Sequence, residues 1–383
     1  MAGKPSRALV LYGDGLARSV HPSNTHIHSL ASIGNCGFLS LPHAPPGLNR
    51  IRPENPLNFV RHLRSVELKR PELSDKAFDT ETENERTVRE FAHLLDASEA
   101  YTLASGLKAK GSENEISTLS ERFAFFSDLY SFKTLSRGGI HMMILFMGLK
   151  AALVTDNSSL TSFGKMIGLD VLQLNEIHRK SDDSFPSDAT ATGLLRLLGF
   201  EGEKCLDVSL YDSVFLHISG DNVGMVDSLI GSVMRMAQPG SEIAPRLHLS
   251  LVLSYGSVTH KDVSVFNVKK TPEEGINPAF QGLVPRQSYT MRGEKTRGDV
   301  RDFLNILVKS HKNFSEVIVS FLRYRDYCPM LVAQWQDAVT RKDLVETLSF
   351  EALKKLSGNL VIPADRFIHE VAFKLWKAPK YGA

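Results

Sequence analysis

Cysteine is scarce: Cys36, Cys205 and Cys328 are the only three in 383 residues. They are widely spaced and odd in number, and none forms a C-x-x-C pair. That excludes a disulfide framework and points to a reducing compartment. An excess of charge of one sign is also lacking, since 45 Lys and Arg against 43 Asp and Glu leave a net charge of +2. Such a balance argues against a nucleic-acid partner or an anionic membrane surface. No apolar run reaches the roughly 18 residues of a membrane span. Met1 to Arg7 leads into a core-like strand with no apolar signal region, so a cytoplasmic protein is expected. The 13 His residues fall in no zinc-ligand spacing. Gly138-Gly139-Ile140 and Ser219-Gly220-Asp221 lack the Lys and hydroxyl of a P-loop and the spacing of a dinucleotide fingerprint. A Gly-x-Ser-x-Gly elbow is missing too, which argues against an α/β serine hydrolase.

What is present is the composition of an ordinary globular protein, 42% hydrophobic and 23% charged. Its length suffices for two domains, or for one large α/β domain with an insertion. Ala8-Leu9-Val10-Leu11-Tyr12 runs into Gly13-Asp14-Gly15, which reads as a buried strand with a carboxylate at its carboxyl end. That is where open α/β sheets hold their ligands. Ser213 to Gly220 is a second such run, ending at Asp221. After the first strand, Asn24 or Thr25 caps a helix with Ile27, Leu30 and Ala31 on one face and Gly34 at its end. Cys36 to Leu41 follows as a strand.

Strand and helix alternate again from about Ile140. Leu149 to Asp156, Val171 to Leu174, Val214 to Ile218 and Leu247 to Ser254 read as strands. Ser159 to Ile167, Thr192 to Leu198 and Val226 to Ala237 read as helices, the first two closed by Gly168 and Gly199. The pattern predicts an α/β fold: a mostly parallel sheet with helices on both faces. Residues 1–56 and 138–298 make its two parts. Between them, 57–137 is expected to be an inserted helical cap, with a capping box at Thr82 to Glu85 and the stripe Val88, Phe91, Leu94, Leu95. Residues 299–383 are expected to be a mostly helical C-terminal extension. They include an amphipathic helix at Val300 to Val308, a possible edge strand at Glu316 to Leu322, and a final helix docked by Phe373 and Trp376. The runs Arg61 to Arg70 and Glu72 to Glu99 read as solvated faces, and Phe123 to Phe132 and Met142 to Met147 as core.

Three segments resemble the cofactor-independent phosphoglycerate mutases of the archaeal type, within the alkaline phosphatase superfamily. Leu9 to Leu16 is similar to that family's first strand with its metal-binding Asp-Gly. Ser23 to Gly37 is similar to the helix that follows. Lys150 to Leu174 with Phe215 to Ile230 is similar to the half that returns after the cap. The resemblance implies an alkaline-phosphatase-like fold and two divalent metals, Mn, Mg or Zn, that clamp an in-line phosphoryl displacement. It also implies Asp14 and Asp221 as metal ligands. The family's other ligands are not matched. Met225 stands where a His is required, Ser254-Tyr255-Gly256 replaces an Asp-His pair, and Pro46 to Arg50 lacks a nucleophilic hydroxyl. A thioether is too soft for these cations.

His21, His26 and His28 follow Asp14, and His260 follows the Tyr255 turn. With the two aspartates, His26 and His260 are the candidate accessory ligands of a rearranged site. The ordinary reading makes both aspartates turn or capping residues and the histidines polar helix-start positions. The reading favoured is a binding or scaffolding pseudoenzyme with no cofactor and no catalytic residues. Its protein partner is met through the C-terminal helices or the cleft between core and cap. The alternative is a metal-dependent phosphatase or phosphomutase.

Overall fold

The computed structural model describes residues 4–41, 82–98, 100–101, 148–177, 186–202, 204–220, 222–257, 330–339, 344–356 and 361–378. In chain order the first elements are β1 (Arg7–Gly13), α1 (Thr25–Ile33), β2 (Asn35–Ser40), α2 (Glu83–Leu94) and β3 (Ala151–Val154). Next come α3 (Ser158–Met166), β4 (Asp170–Leu172), α4 (Pro186–Leu197), β5 (Phe200–Glu201), β6 (Lys204–Cys205) and β7 (Ser213–Ile218). The chain continues through α5 (Val223–Met236), β8 (Leu247–Ser254), β9 (Met330–Gln336), α6 (Phe350–Leu356), β10 (Val361–Pro363) and α7 (Phe367–Lys374).

Eight strands form one sheet in the order β10-β2-β9-β8-β1-β7-β3-β4, and β5 and β6 make a separate small hairpin. Every strand of the large sheet runs the same way except β9, which is antiparallel to both β2 and β8. The fold is therefore α/β with a mostly parallel sheet. Strands β1, β7 and β8 lie at its centre and are buried on both faces. This is why β1 reads as an unbroken apolar run from Ala8 to Tyr12 and β7 as one interrupted only at His217, whereas β8 carries the buried polar His248 and Ser250 among its leucines. Tyr12, Phe215 and Leu153 share one face, which carries α2 and α3: Phe91 of α2 packs on Tyr12 and Phe215, and Gly164 of α3 abuts Leu153. Helix α5 packs against α1, α4 and β1, and α1 also meets β9.

Local signals set most of the helix ends. The Thr82 hydroxyl accepts from Glu85 N–H at 3.2 Å, and Glu85 Oε2 accepts from Thr82 N–H at 2.9 Å, completing the expected capping box of α2. Gly168 and Gly199 end α3 and α4 with φ of 84° and 80°, the left-handed geometry that stops a helix at low cost. The start of α1 departs from expectation. Asn24 is its N-cap residue, but its side chain accepts from His21 N–H instead. The Ile27 N–H is satisfied at 2.9 Å by Asp227 of α5, so the cap comes from a neighbouring helix.

The described residues beyond 299 include two helices, α6 and α7, and also two strands, β9 and β10, that the sequence reading did not anticipate. β9 bridges β2 and β8, and β10 closes the sheet edge beside β2. The tail is thus part of the core rather than an appendage to it. In the last helix Ile368, Val371, Ala372 and Leu375 are buried as expected, but Trp376 is 60% exposed and docks nothing into the core. Its ring lies under the Lys4 ammonium at 3.9 Å, a surface cation–π contact. The segments Arg61 to Arg70, Phe123 to Phe132, Met142 to Met147, Val300 to Val308 and Glu316 to Leu322 lie outside the described residues, as does most of the expected cap.

Candidate functional site

Four strands end in a row of polar side chains at the carboxyl edge of the sheet: Ser254 at the end of β8, Asp14 after β1, His217 in β7 and Thr155 after β3. An open α/β sheet forms its ligand crevice at such an edge. Here the crevice is filled from within by α2. Arg86 grips Asp14 with both terminal nitrogens, Nη1 to Oδ1 at 2.6 Å and Nη2 to Oδ2 at 3.2 Å. The Thr87 hydroxyl donates to Oδ2 at 2.5 Å and the Ser254 hydroxyl to Oδ1 at 3.1 Å. Asp14 is buried and has donors on both oxygens. Burial pulls its pKa upward, but the hydrogen bonds and charge of Arg86, joined by Thr87, outweigh that and hold the carboxyl below its ordinary range.

The pairing continues one helical turn on. Arg86 Nη1 also reaches Glu90 at 3.2 Å, and the Tyr12 hydroxyl donates to the same Glu90 oxygen at 3.1 Å. Helix and strand spacings explain the match. Four helical residues advance about 6 Å and two strand residues about 6.6 Å. An antiparallel α2 therefore sets Arg86 over Asp14 and Glu90 over Tyr12. Asn84 extends the contact to the next strand end, where Asn157 Nδ2 donates to its Oδ1 at 3.0 Å.

Glu90 is fully buried, and burial pushes its carboxyl up to about 7 against the attraction of Arg86 and Arg89. The ordinary value is 4.5. Between those values the folded chain holds a proton at Glu90 that the unfolded chain has lost. This residue's contribution to stability therefore falls as pH rises through that window. Glu90→Gln removes the titration. The unfolding free energy of the variant minus that of the parent should grow by on the order of 3 kcal/mol between about pH 4.5 and 7, then level off. Urea melts across the window measure this, and a flat difference would place Glu90 in water. The subtraction cancels His217 and His248, which burial pushes down to about 4 and about 3. Those two, neutral in the fold, add stability that is lost as pH falls below the ordinary His value.

His217 shares a 3.0 Å hydrogen bond with the Thr155 hydroxyl through Nδ1, and its buried Nε2 has no hydrogen-bond partner among the described residues. The other histidines are placed differently. His28 is tied to backbone at both nitrogens, Nδ1 accepting from Leu348 N–H at 3.2 Å and Nε2 donating to His21 O at 3.1 Å. His21 Nδ1 meets the Ser23 hydroxyl at 3.1 Å. His26 is exposed and lies against Gly231, about 12 Å down α5 from its first residue by helical rise. Asp221 and His260 lie outside the described residues. Met225, half-buried in the first turn of α5, brings no hard ligand.

The resemblance implies two divalent metals, and the described residues do not fit them. Asp14 already has a resident cation in Arg86, Ser254 stands where an Asp-His pair is required, and no group of three His, Cys, Asp or Glu is assembled among the described residues. Sequence reasoning missed Arg86, Thr87, Glu90 and Tyr12 as members of this site. Arg86 and Glu90, four apart with opposite charges, look like an ordinary exposed helix pair. The available signal was the spacing of Tyr12 and Asp14, two polar-tipped residues on one face of a strand otherwise apolar.

No protein-family model matches the chain, and no curated protein matches it. Among solved structures it is similar to the PH0037 protein from Pyrococcus horikoshii, with a TM-score of 0.44 and 13% identity over 100% of both chains. It is also similar to a cofactor-independent phosphoglycerate mutase from Thermoplasma acidophilum DSM 1728, with a TM-score of 0.36 and 10% identity over 96% of this chain and 99% of that one. The chemistry of the site rests on its own geometry.

Proposed function

We propose that this chain is a binding or scaffolding protein on an alkaline-phosphatase-like scaffold, a pseudoenzyme that does not carry out two-metal phosphoryl transfer. One observation carries the reading: the bidentate grip of Arg86 on Asp14. Metal catalysis needs an open coordination position beside a charged carboxylate, where the cation can meet both attacking and leaving oxygens. A buried guanidinium neutralises the same carboxylate but offers only N–H donors, so it cannot act as a Lewis acid or generate a hydroxide. The guanidinium of Arg86 occupies the place beside Asp14 where a cation would have to sit. Partners are then met on outer surfaces, and a cytoplasmic location is in keeping with three widely spaced cysteines that include no C-x-x-C pair.

Equilibrium dialysis against Mn²⁺ and Zn²⁺, with a parallel assay of p-nitrophenyl phosphate hydrolysis, tests this. The expected result is less than one bound metal per chain and no metal-dependent hydrolysis. Stoichiometric metal that is lost in Asp14→Ala, together with hydrolysis that falls in the same variant, would establish the alternative. That alternative is a phosphatase or phosphomutase built on Asp14 and Asp221 with His26 or His260.

A further inference from the structure

The amino end of the sheet, opposite the Asp14 cluster, carries a buried polar row. His248 of β8, Ala8 of β1 and Ser213 of β7 are in register there, and all three are buried. Ala8 shares a face with Tyr12 by the two-residue period of a strand, so the row lies on the face that carries α2. Ser6, two residues before Ala8, falls on the same face, held by its N–H bond to Arg246 O at 2.9 Å.

Three buried atoms around Ala8 have no hydrogen-bond partner among the described residues: Ser6 Oγ, Ser213 Oγ and His248 Nδ1. Folded interiors leave few such atoms unpaired, because each gives up its hydration without replacement. The hydrogen bonds of the imidazole define what it presents. Ser250 Oγ accepts from Gln334 Nε2 at 3.4 Å and stands 3.2 Å from His248 Nε2, so the serine's own hydrogen goes to Nε2. Burial, helped by the charge of Lys374, pushes the ring's pKa down to about 3, and it is neutral. Its one hydrogen is therefore on Nδ1, facing no acceptor.

The row thus offers one N–H donor and two hydroxyls that either donate or accept. None is charged, so the set suits a small neutral molecule that does both. Two strand spacings, about 9.6 Å, separate the backbones of His248 and Ser213. Only the Ala8 methyl group rises between them. We infer that a water molecule is bound over Ala8 as part of the fold, accepting from His248 Nδ1 and shared with the hydroxyls of Ser213 and Ser6. Three hydrogen bonds are the usual complement of a buried water. The site is separate from the Arg86 grip, and its test does not depend on the function proposed above.

Crystallography of the full chain reads the site directly. An ordered water is expected at roughly 2.7–3.2 Å from His248 Nδ1 and from at least one of the two serine hydroxyls. A direct bond from Nδ1 to Gln336, its neighbour in register on β9, with no such water overturns the inference. Urea unfolding gives an independent reading. Ala8→Ser puts a hydroxyl where the water lies, among groups that pair with it, and should leave the midpoint close to the parent's. Ala152→Ser, at a fully buried alanine beside Val214, should lower it clearly, as an unpaired buried hydroxyl does. An equal fall in both variants overturns the inference. His248→Phe and Ser213→Ala should together lower the midpoint by less than the sum of their separate effects, because both lose the same water. Strictly additive effects, the rule for separated residues with no common partner, overturn the bridge.

Discussion

Arg86→Met is expected to cost about 3–5 kcal/mol of folding stability, because it leaves Asp14 buried and charged with its main partner gone. The side chains of Arg86 and Asp14 are 6% and 4% exposed, so solvent does little to screen the loss. Urea unfolding at neutral pH measures it. Pairing the variant with Asp14→Asn gives a sharper result. The double variant should lose less than the sum of the single losses, by an interaction term of about 1–3 kcal/mol. A loss below about 1 kcal/mol for Arg86→Met would be the value of a solvated surface pair, and the crevice would then be open to ligands. The same experiment separates the two functional readings. If Asp14 held a catalytic metal, Asp14→Asn would abolish activity and leave the guanidinium of Arg86 with little to stabilise.

Phe91→Ala carries the second large effect, also about 3–5 kcal/mol. Phe91 is fully buried, with its ring centroid 5.9 Å from Tyr12 and an edge-on contact to Phe215 at 6.0 Å. It anchors α2 to the sheet one turn beyond the Arg86 grip. Truncation leaves a void between helix and sheet, and Glu90 beside it is held by Arg86 and Tyr12. Hydrogen exchange should localise the damage: amides of Thr87 to Leu94 lose protection, while those of β1, β7 and β8 keep most of theirs. Uniform loss across the sheet would instead make α2 an integral part of the global unfolding unit.

Much of this fold could be read in the chain before any coordinates. The central strands announce themselves because burial on both faces demands largely apolar runs, as in Ala8 to Tyr12 and Leu251 to Leu253. The helix carrying Arg86 was marked by its capping box and stripe, both local features. Asp14 stood out for its place at a strand end. Its partner did not, because Arg86 lies 72 positions away and pairing at that distance leaves no trace in local composition. Strand β10 escaped notice because three residues are too few to show a period. Strand β9 alternates only in Ala333-Gln334-Trp335-Gln336, too short a signal to stand out in a tail expected to be mostly helical.

The reversed strand β9 has a consequence for the order in which the protein can be built during synthesis. Among the described strands, β2 bonds only to β9 and β10, both made from the last few dozen residues. A nascent chain can assemble β1 with β7 and β8 first, but β2 has no partner among the described strands until β9, far downstream of it, has been made. Closure by such distant pairings is slow and leaves an unpaired edge exposed meanwhile. Helper proteins at the ribosome exit would find their natural client in that waiting strand.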